Sequence, residues 1–275
     1  MPLSVRTPPD GGAMVKDYPA SQRSTWRLVA EEVLAGVAAG LLLPFGISDS
    51  TRRTSRSREQ RTVVLVHGYL ANRSTMFPLA AYLRWRGCRQ VLSFNYQSSE
   101  GIERGAMALR DYLRRNVRGG RIDLVCHSLG GLVARVYVQY LGGERRVDQC
   151  ITLGTPHEGT YNAYWLASRV GRELRPDSPL LDRLRATPPG RVRFVSIVAG
   201  SDNLVIPRVF ARHEDEIYVP HHGHLGMLFS PHVLRLIADR LLVSASKPDE
   251  PMERSGLETG RFGPATAAGL SAPAR

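Results

Sequence analysis

A mainly parallel β-sheet of about six strands, with helices on both faces, is the architecture that the 275-residue sequence predicts. Short, β-branched apolar runs recur along the middle of the chain, as strands buried on both faces do. Between them lie segments whose apolar residues repeat at three- and four-residue intervals, the pattern of helices packed on a core. Such strand–helix alternation brings successive strands together in parallel. The length suits one medium-sized domain with flanking tails, and a hydrophobic content of 43% is enough for a sizeable core.

The strands are expected at residues 62–67, 90–95, 121–126, 148–153, 191–199 and 216–219. Helices are expected at 75–86, 102–117, 132–141 and 231–242. The last has Ser230 as N-cap and Pro231 at the first helical position, where a missing N–H costs nothing. These elements make one domain over 62–243, with a small lid-like insertion at 160–190. Residues 1–25 and 244–275 are rich in Pro, Gly, Ser and charge and are expected to be disordered.

Residues 26–61 combine an apolar helix with a basic linker. The uncharged stretch 33–48, interrupted by Pro44, is shorter than the roughly 20 apolar residues of a membrane span. Acidic Glu31 and Glu32 precede it, which a signal peptide would not have. Two readings stand: a helix packed on the domain, or a membrane-surface helix followed by the basic run TRRTSRSREQR. Location is correspondingly cytoplasmic or membrane-associated.

The net charge of +12 is carried almost entirely by arginine. It favours anionic surfaces, but no zinc-finger spacing, RNA-binding aromatic signature or basic heptad accompanies it, so nucleic acid is not expected as a partner. Cys88, Cys126 and Cys150 are too few for a disulfide scaffold and suit small core residues.

Catalytic groups in a parallel sheet gather at the carboxyl ends of its strands. At the end of the third strand stands Cys126-His127-Ser128-Leu129-Gly130-Gly131, followed by a helical pattern. A serine on such a turn holds its hydroxyl above the sheet, provided the residues two positions either side are small. Gly130 meets that requirement, and Cys126 stands where glycine is usual. The nucleophile needs a base, and the base an orienting carboxylate. Asp202 lies just beyond the fifth strand, whereas Glu214, Asp215 and Glu216 begin the sixth, at the wrong end of the sheet. The base is expected among His221, His222 and His224, which follow the last strand. His224, in a Gly-His-Leu-Gly loop, is preferred and His222 held in reserve, because spacing alone does not decide. Three clustered histidines also suit zinc, yet no carboxylate or cysteine set at ligand spacing supports a metal. Backbone amides of Tyr69 and Leu129 would form an oxyanion hole. Tyr161, Tyr164, Trp165 and Leu166 of the insertion would line an acyl pocket or form a lid, or simply pack on the domain.

As a set, Val64-Leu65-Val66-His67-Gly68, the Ser128 motif, Leu153-Gly154-Thr155-Pro156-His157-Glu158-Gly159-Thr160 and Gly223-His224 resemble the motif series of bacterial lipases and esterases of the α/β-hydrolase superfamily. The resemblance covers roughly residues 60–243 and implies hydrolysis of lipid or acyl esters through an acyl-enzyme, with no cofactor. A thioesterase, phospholipase or acyltransferase would use the same triad. A non-catalytic membrane-surface adaptor is the alternative of another class.

Overall fold

Alternation along each apolar run sends successive side chains to opposite faces, and both faces here are apolar. The computed structural model describes residues 5–6, 15–16, 25–46, 61–206 and 214–245. The six runs form β1 (Thr62–Val66), β2 (Val91–Phe94), β3 (Ile122–His127), β4 (Val147–Leu153), β5 (Arg193–Ala199) and β6 (Glu214–Val219). Their order is β2-β1-β3-β4-β5-β6, with every neighbouring pair parallel.

The helices among the described residues are α1 (Thr25–Leu42), α2 (Phe77–Trp85), α3 (Ile102–Asn116), α4 (Leu129–Tyr140), α5 (Arg169–Glu173), α6 (Pro179–Ala186) and α7 (Pro231–Ala245). Val64, Val66, Leu124 and Cys126 point into one layer with Leu109 of α3, Leu132 of α4 and Leu181 of α6. Val63, Leu65, Val125 and Ile197 point into the other, with Leu83 of α2 and Ile237 of α7. The expected architecture is therefore present, and α5 and α6 occupy the expected insertion between β4 and β5.

Strand order reverses between β1 and β3, because the chain first moves outward to β2 and then crosses back. Crevices open at the carboxyl ends of strands on either side of such a reversal. The loop after β1 and the turn after β3 meet there.

Helix α4 starts at Leu129, three residues earlier than its apolar pattern suggests. Glycine lowers helix propensity, so Gly130-Gly131 reads as a turn. Space explains both glycines. A Cβ on Gly130 would stand 2.6 Å from the His67 carbonyl oxygen, and one on Gly131 would stand 2.2 Å from Thr155 Oγ1.

Within 1–25, residues 5–6 and 15–16 form a short antiparallel pair. The other residues of 1–24, the basic linker at 47–60 and the tail at 246–275 lie outside the described residues.

Candidate active site

Ser128 sits between the last residue of β3 and the first of α4 with φ 53° and ψ −125°. A non-glycine residue pays backbone strain there, and the turn holds the side chain off the end of the sheet. The backbone around it is anchored: Ser128 N–H donates to the Leu153 carbonyl at 2.8 Å. Gly68 lies directly opposite, since a Cβ there would come within 3.0 Å of Ser128 Cβ.

His224 and Asp202 meet as a buried pair, with Nδ1 2.7 Å from Oδ2. The other Asp202 oxygen accepts the Leu204 N–H at 2.8 Å and the Val205 N–H at 3.0 Å. Burial alone would raise this carboxyl. The hydrogen bond and charge of His224, with the two backbone donors, nevertheless hold it below the ordinary aspartate value, so it stays ionised. Gly154 packs against the pair, its position leaving 3.1 Å from a Cβ to both Oδ2 and Nδ1. Gly154 follows Leu153, the residue that anchors Ser128, so the Ser128 turn and the His224–Asp202 pair both meet the chain where β4 ends.

The neighbouring histidines have other engagements. His222 pairs Nδ1 with the Pro220 carbonyl and Nε2 with Ser230 Oγ, both at 2.8 Å. His221 has a positive φ of 63°, which turns the chain between β6 and the His224 loop. The three histidines thus do not converge on one point. Among the described residues, no group of three His, Cys, Asp or Glu side chains is arranged to hold a metal ion.

Two peptide planes carry the expected oxyanion amides. In a trans peptide the C=O and the following N–H point in opposite directions, so fixing one aims the other. His67 Nδ1 lies 2.9 Å from the Gly68 carbonyl, and its Nε2 accepts the Tyr96 N–H at 3.4 Å. The hydrogen therefore resides on Nδ1, and His67 fixes the plane whose other edge is the Tyr69 N–H. Burial keeps this ring neutral, with its pKa lowered to about 4. The Ser128 carbonyl accepts from Thr155 Oγ1 at 2.9 Å and from the Gly131 N–H at 3.0 Å. These bonds fix the plane whose other edge is the Leu129 N–H, the first amide of α4.

A third plane, His224–Leu225, is clamped from both edges. His127 Nε2 lies 3.1 Å from the His224 carbonyl and must donate to it. The opposite edge, Leu225 N–H, donates to Glu32 Oε2 of α1 at 3.0 Å, and Gly226 N–H donates to Oε1 at 2.6 Å. Burial holds the His127 ring neutral, its pKa lowered to about 3.

Sequence reasoning passes over Glu32, His127 and Thr155 as participants. A short-range signal exists only for the last two, which lie within the motifs that mark the strand ends. The insertion residues differ from a closed pocket wall. Trp165 is 89% exposed, Tyr161 and Tyr164 are also exposed, and Leu166 is at the edge of exposure. Tyr164 donates its hydroxyl to Asp177 at 2.8 Å, with Arg175 over its ring. The insertion is tied to the acid loop by Thr160, whose hydroxyl donates to the Leu204 carbonyl at 2.9 Å and accepts the Ile206 N–H at 3.1 Å.

Residues 45–168, under half of the chain, match a family described as a domain of unknown function, DUF7379. Among solved structures, the mature form of the Bacillus licheniformis lipase BlEst2 superposes with a TM-score of 0.59 at 14% identity, covering 70% of this chain and 96% of that one. The fold is that of the α/β-hydrolases. Aspergillus fumigatus lipase B aligns with a TM-score of 0.59 at 16% identity, over 68% of this chain and 53% of its own, so this chain spans about half of that enzyme. The metagenomic carboxyl esterase MGS0156 gives a TM-score of 0.54 at 15% identity, over 73% of this chain and 80% of its own.

Proposed function

We propose that this protein is a serine-dependent hydrolase of carboxylic esters, acting on lipid or other acyl esters. The observation that carries the reading is the buried His224–Asp202 contact of 2.7 Å at Gly154, the residue after the one whose carbonyl anchors Ser128, a serine with φ 53°. A histidine whose Nδ1–H is held by an ionised carboxylate can present Nε2 as a base, which is what a serine nucleophile needs.

In this mechanism His224 Nε2 takes the proton of Ser128 Oγ as the oxygen attacks the ester carbonyl. Asp202 fixes the tautomer and stabilises the imidazolium. Negative charge on the former carbonyl oxygen is met by the Tyr69 and Leu129 amides. His224 then protonates the departing alcohol, leaving an acyl group on Ser128. Water, deprotonated by His224, attacks that acyl-enzyme, and the acid leaves as Ser128 recovers its proton. At each step charge is conserved across the triad and the substrate together, the imidazolium being balanced by the oxyanion, and none requires a cofactor. The neighbouring lipases and esterase share the fold that would support this chemistry, and Ser128, Asp202 and His224 are this chain's candidates for it.

The test is labelling with a fluorophosphonate probe, with hydrolysis of p-nitrophenyl esters of graded chain length measured in parallel. Wild type should label and Ser128→Ala should not. Thioester and phospholipid substrates in the same panel separate carboxylesterase from thioesterase and phospholipase action. A folded wild-type protein that neither labels nor hydrolyses any of them would overturn the enzymatic reading in favour of a non-catalytic adaptor.

A further inference from the structure

Helix α1 is built inside out. A helix that packs on a soluble domain turns its large apolar residues inward. Here the fully buried residues are small, Ala35 and Ala39, with Leu28 and Leu42 only half-buried beside them; Gly36 approaches Leu225, and Glu32 bonds the Leu225 and Gly226 amides. The outward stripe carries Trp26, Val29, Val33, Leu34, Val37 and Leu41, and Phe45 continues it past the helix end. Trp26 is 82% exposed, Leu41 71% and Phe45 67%. An apolar strip of that length on a soluble surface marks an interaction face.

We propose that this stripe docks on an anionic lipid bilayer, with α1 lying in the headgroup plane and the site mouth facing the membrane. Three observations select a lipid surface as the occupant. Aromatic residues stand at both ends of the stripe, where amphipathic rings anchor in a membrane interface. Charge is complementary: the chain carries a net charge of +12, and five arginines against one glutamate fall within residues 51–61, directly after α1 in sequence. The topology also brings the helix to the end of the sheet where the candidate site lies. Helix α1 touches the segments Arg73–Met76 and Gly226–Leu228, which follow β1 and β6. Leu70, Trp165, Leu204 and Ile206 follow β1, β4 and β5, and their exposed apolar side chains rise from the same carboxyl ends of the sheet.

Residues Trp26–Gly46 are also long and apolar enough to cross a membrane by length and composition. Spanning would break both Glu32 bonds and carry a carboxylate into hydrocarbon, whereas lying in the interface keeps them.

The test is flotation of the full chain with vesicles of phosphatidylcholine alone and of phosphatidylcholine with phosphatidylglycerol. Wild type should float with the anionic vesicles, at least tenfold more weakly in molar salt, and be released by alkaline carbonate. Val33→Glu with Val37→Glu should abolish flotation while leaving hydrolysis of a short soluble ester and the circular-dichroism melt unchanged. Flotation that survives the double variant would overturn the proposal. So would resistance to carbonate, which marks a spanning helix, or a wild-type dimer that the variant converts to monomer, which marks a second copy on the stripe. Fluorophosphonate labelling of Ser128 is read separately, so loss of docking and absence of catalysis are distinguishable.

Discussion

Replacing His127 by phenylalanine isolates one hydrogen bond at the site. The ring is buried at 3% exposure and packs against His224 with centroids 4.8 Å apart, so phenylalanine preserves most of the volume. What disappears is the N–H that reaches the His224 carbonyl at 3.1 Å. A buried acceptor left without a donor costs about 1–3 kcal/mol. The native structure can bear that cost in place, which lowers the unfolding midpoint. Alternatively the His224–Leu225 peptide rotates toward water and takes the imidazole with it. Conversion at about 1.4 kcal/mol per decade puts the second outcome at roughly 5- to 150-fold in kcat/KM. The assay is p-nitrophenyl ester hydrolysis beside urea unfolding. His127→Gln, which offers an amide N–H, should recover part of whatever is lost. Because burial lowers the His127 pKa to about 3, the deficit should be constant from about pH 5 to about pH 9. Wild-type kcat/KM together with a wild-type unfolding midpoint in His127→Phe would refute the reasoning.

Glu32 is the partner on the opposite edge of that peptide, and Glu32→Ala should lower kcat more than KM; Glu32→Gln keeps one of the two acceptors but turns an NH2 donor toward the other amide, so it should recover only part of the rate, and wild-type rates in both variants would remove Glu32 from the site. Gly131→Ala places a Cβ 2.2 Å from Thr155 Oγ1 and should destabilise the fold by about 1–3 kcal/mol through overpacking, with Thr155→Ala recovering part in the double variant, all read from urea midpoints. Asp123 lies 3.0 Å from Arg61, yet burial outweighs that ion pair and raises its pKa to about 6. The folded protein therefore binds a proton more tightly than the unfolded chain, so this contribution is complete below about pH 4 and is lost as pH rises through about 6. Relative to Asp123→Asn, wild type should lose about 3 kcal/mol across that window, and parallel stability curves for the two proteins would contradict it.

Much of this was legible in the sequence because it is local. The central strands are runs whose two faces are both apolar, so burial is written into consecutive residues, and the six strands form within a few positions of the pattern. Ser128 announces itself by a strand, a turn and two glycines in one window. Asp202 follows from its place after β5, since the rival carboxylates at 214–216 begin β6 at the opposite end of the sheet. The choice between His222 and His224 lies beyond spacing, because it depends on which ring reaches Asp202 and which reaches Ser230. Glu32 is less legible still: its partners are 193 and 194 residues away. The outward orientation of α1 is hidden for a related reason. Composition shows an apolar helix but not which face a distant loop will occupy, and Glu32, Ala35 and Ala39 reveal that face only once the loop is in place.

That distance also has a temporal side. During synthesis α1 leaves the ribosome 193 residues before Leu225 exists to receive Glu32. At about 5–20 residues per second the delay is about 10–40 s. Throughout it, a strip of tryptophan, valine and leucine stands unsheltered beside a carboxylate without its amides. The histidine loop therefore acquires its brace from a helix made long before it. A chain cut short before Leu225 would keep the contact of α1 with Arg73–Met76 but leave Glu32 without its two amides.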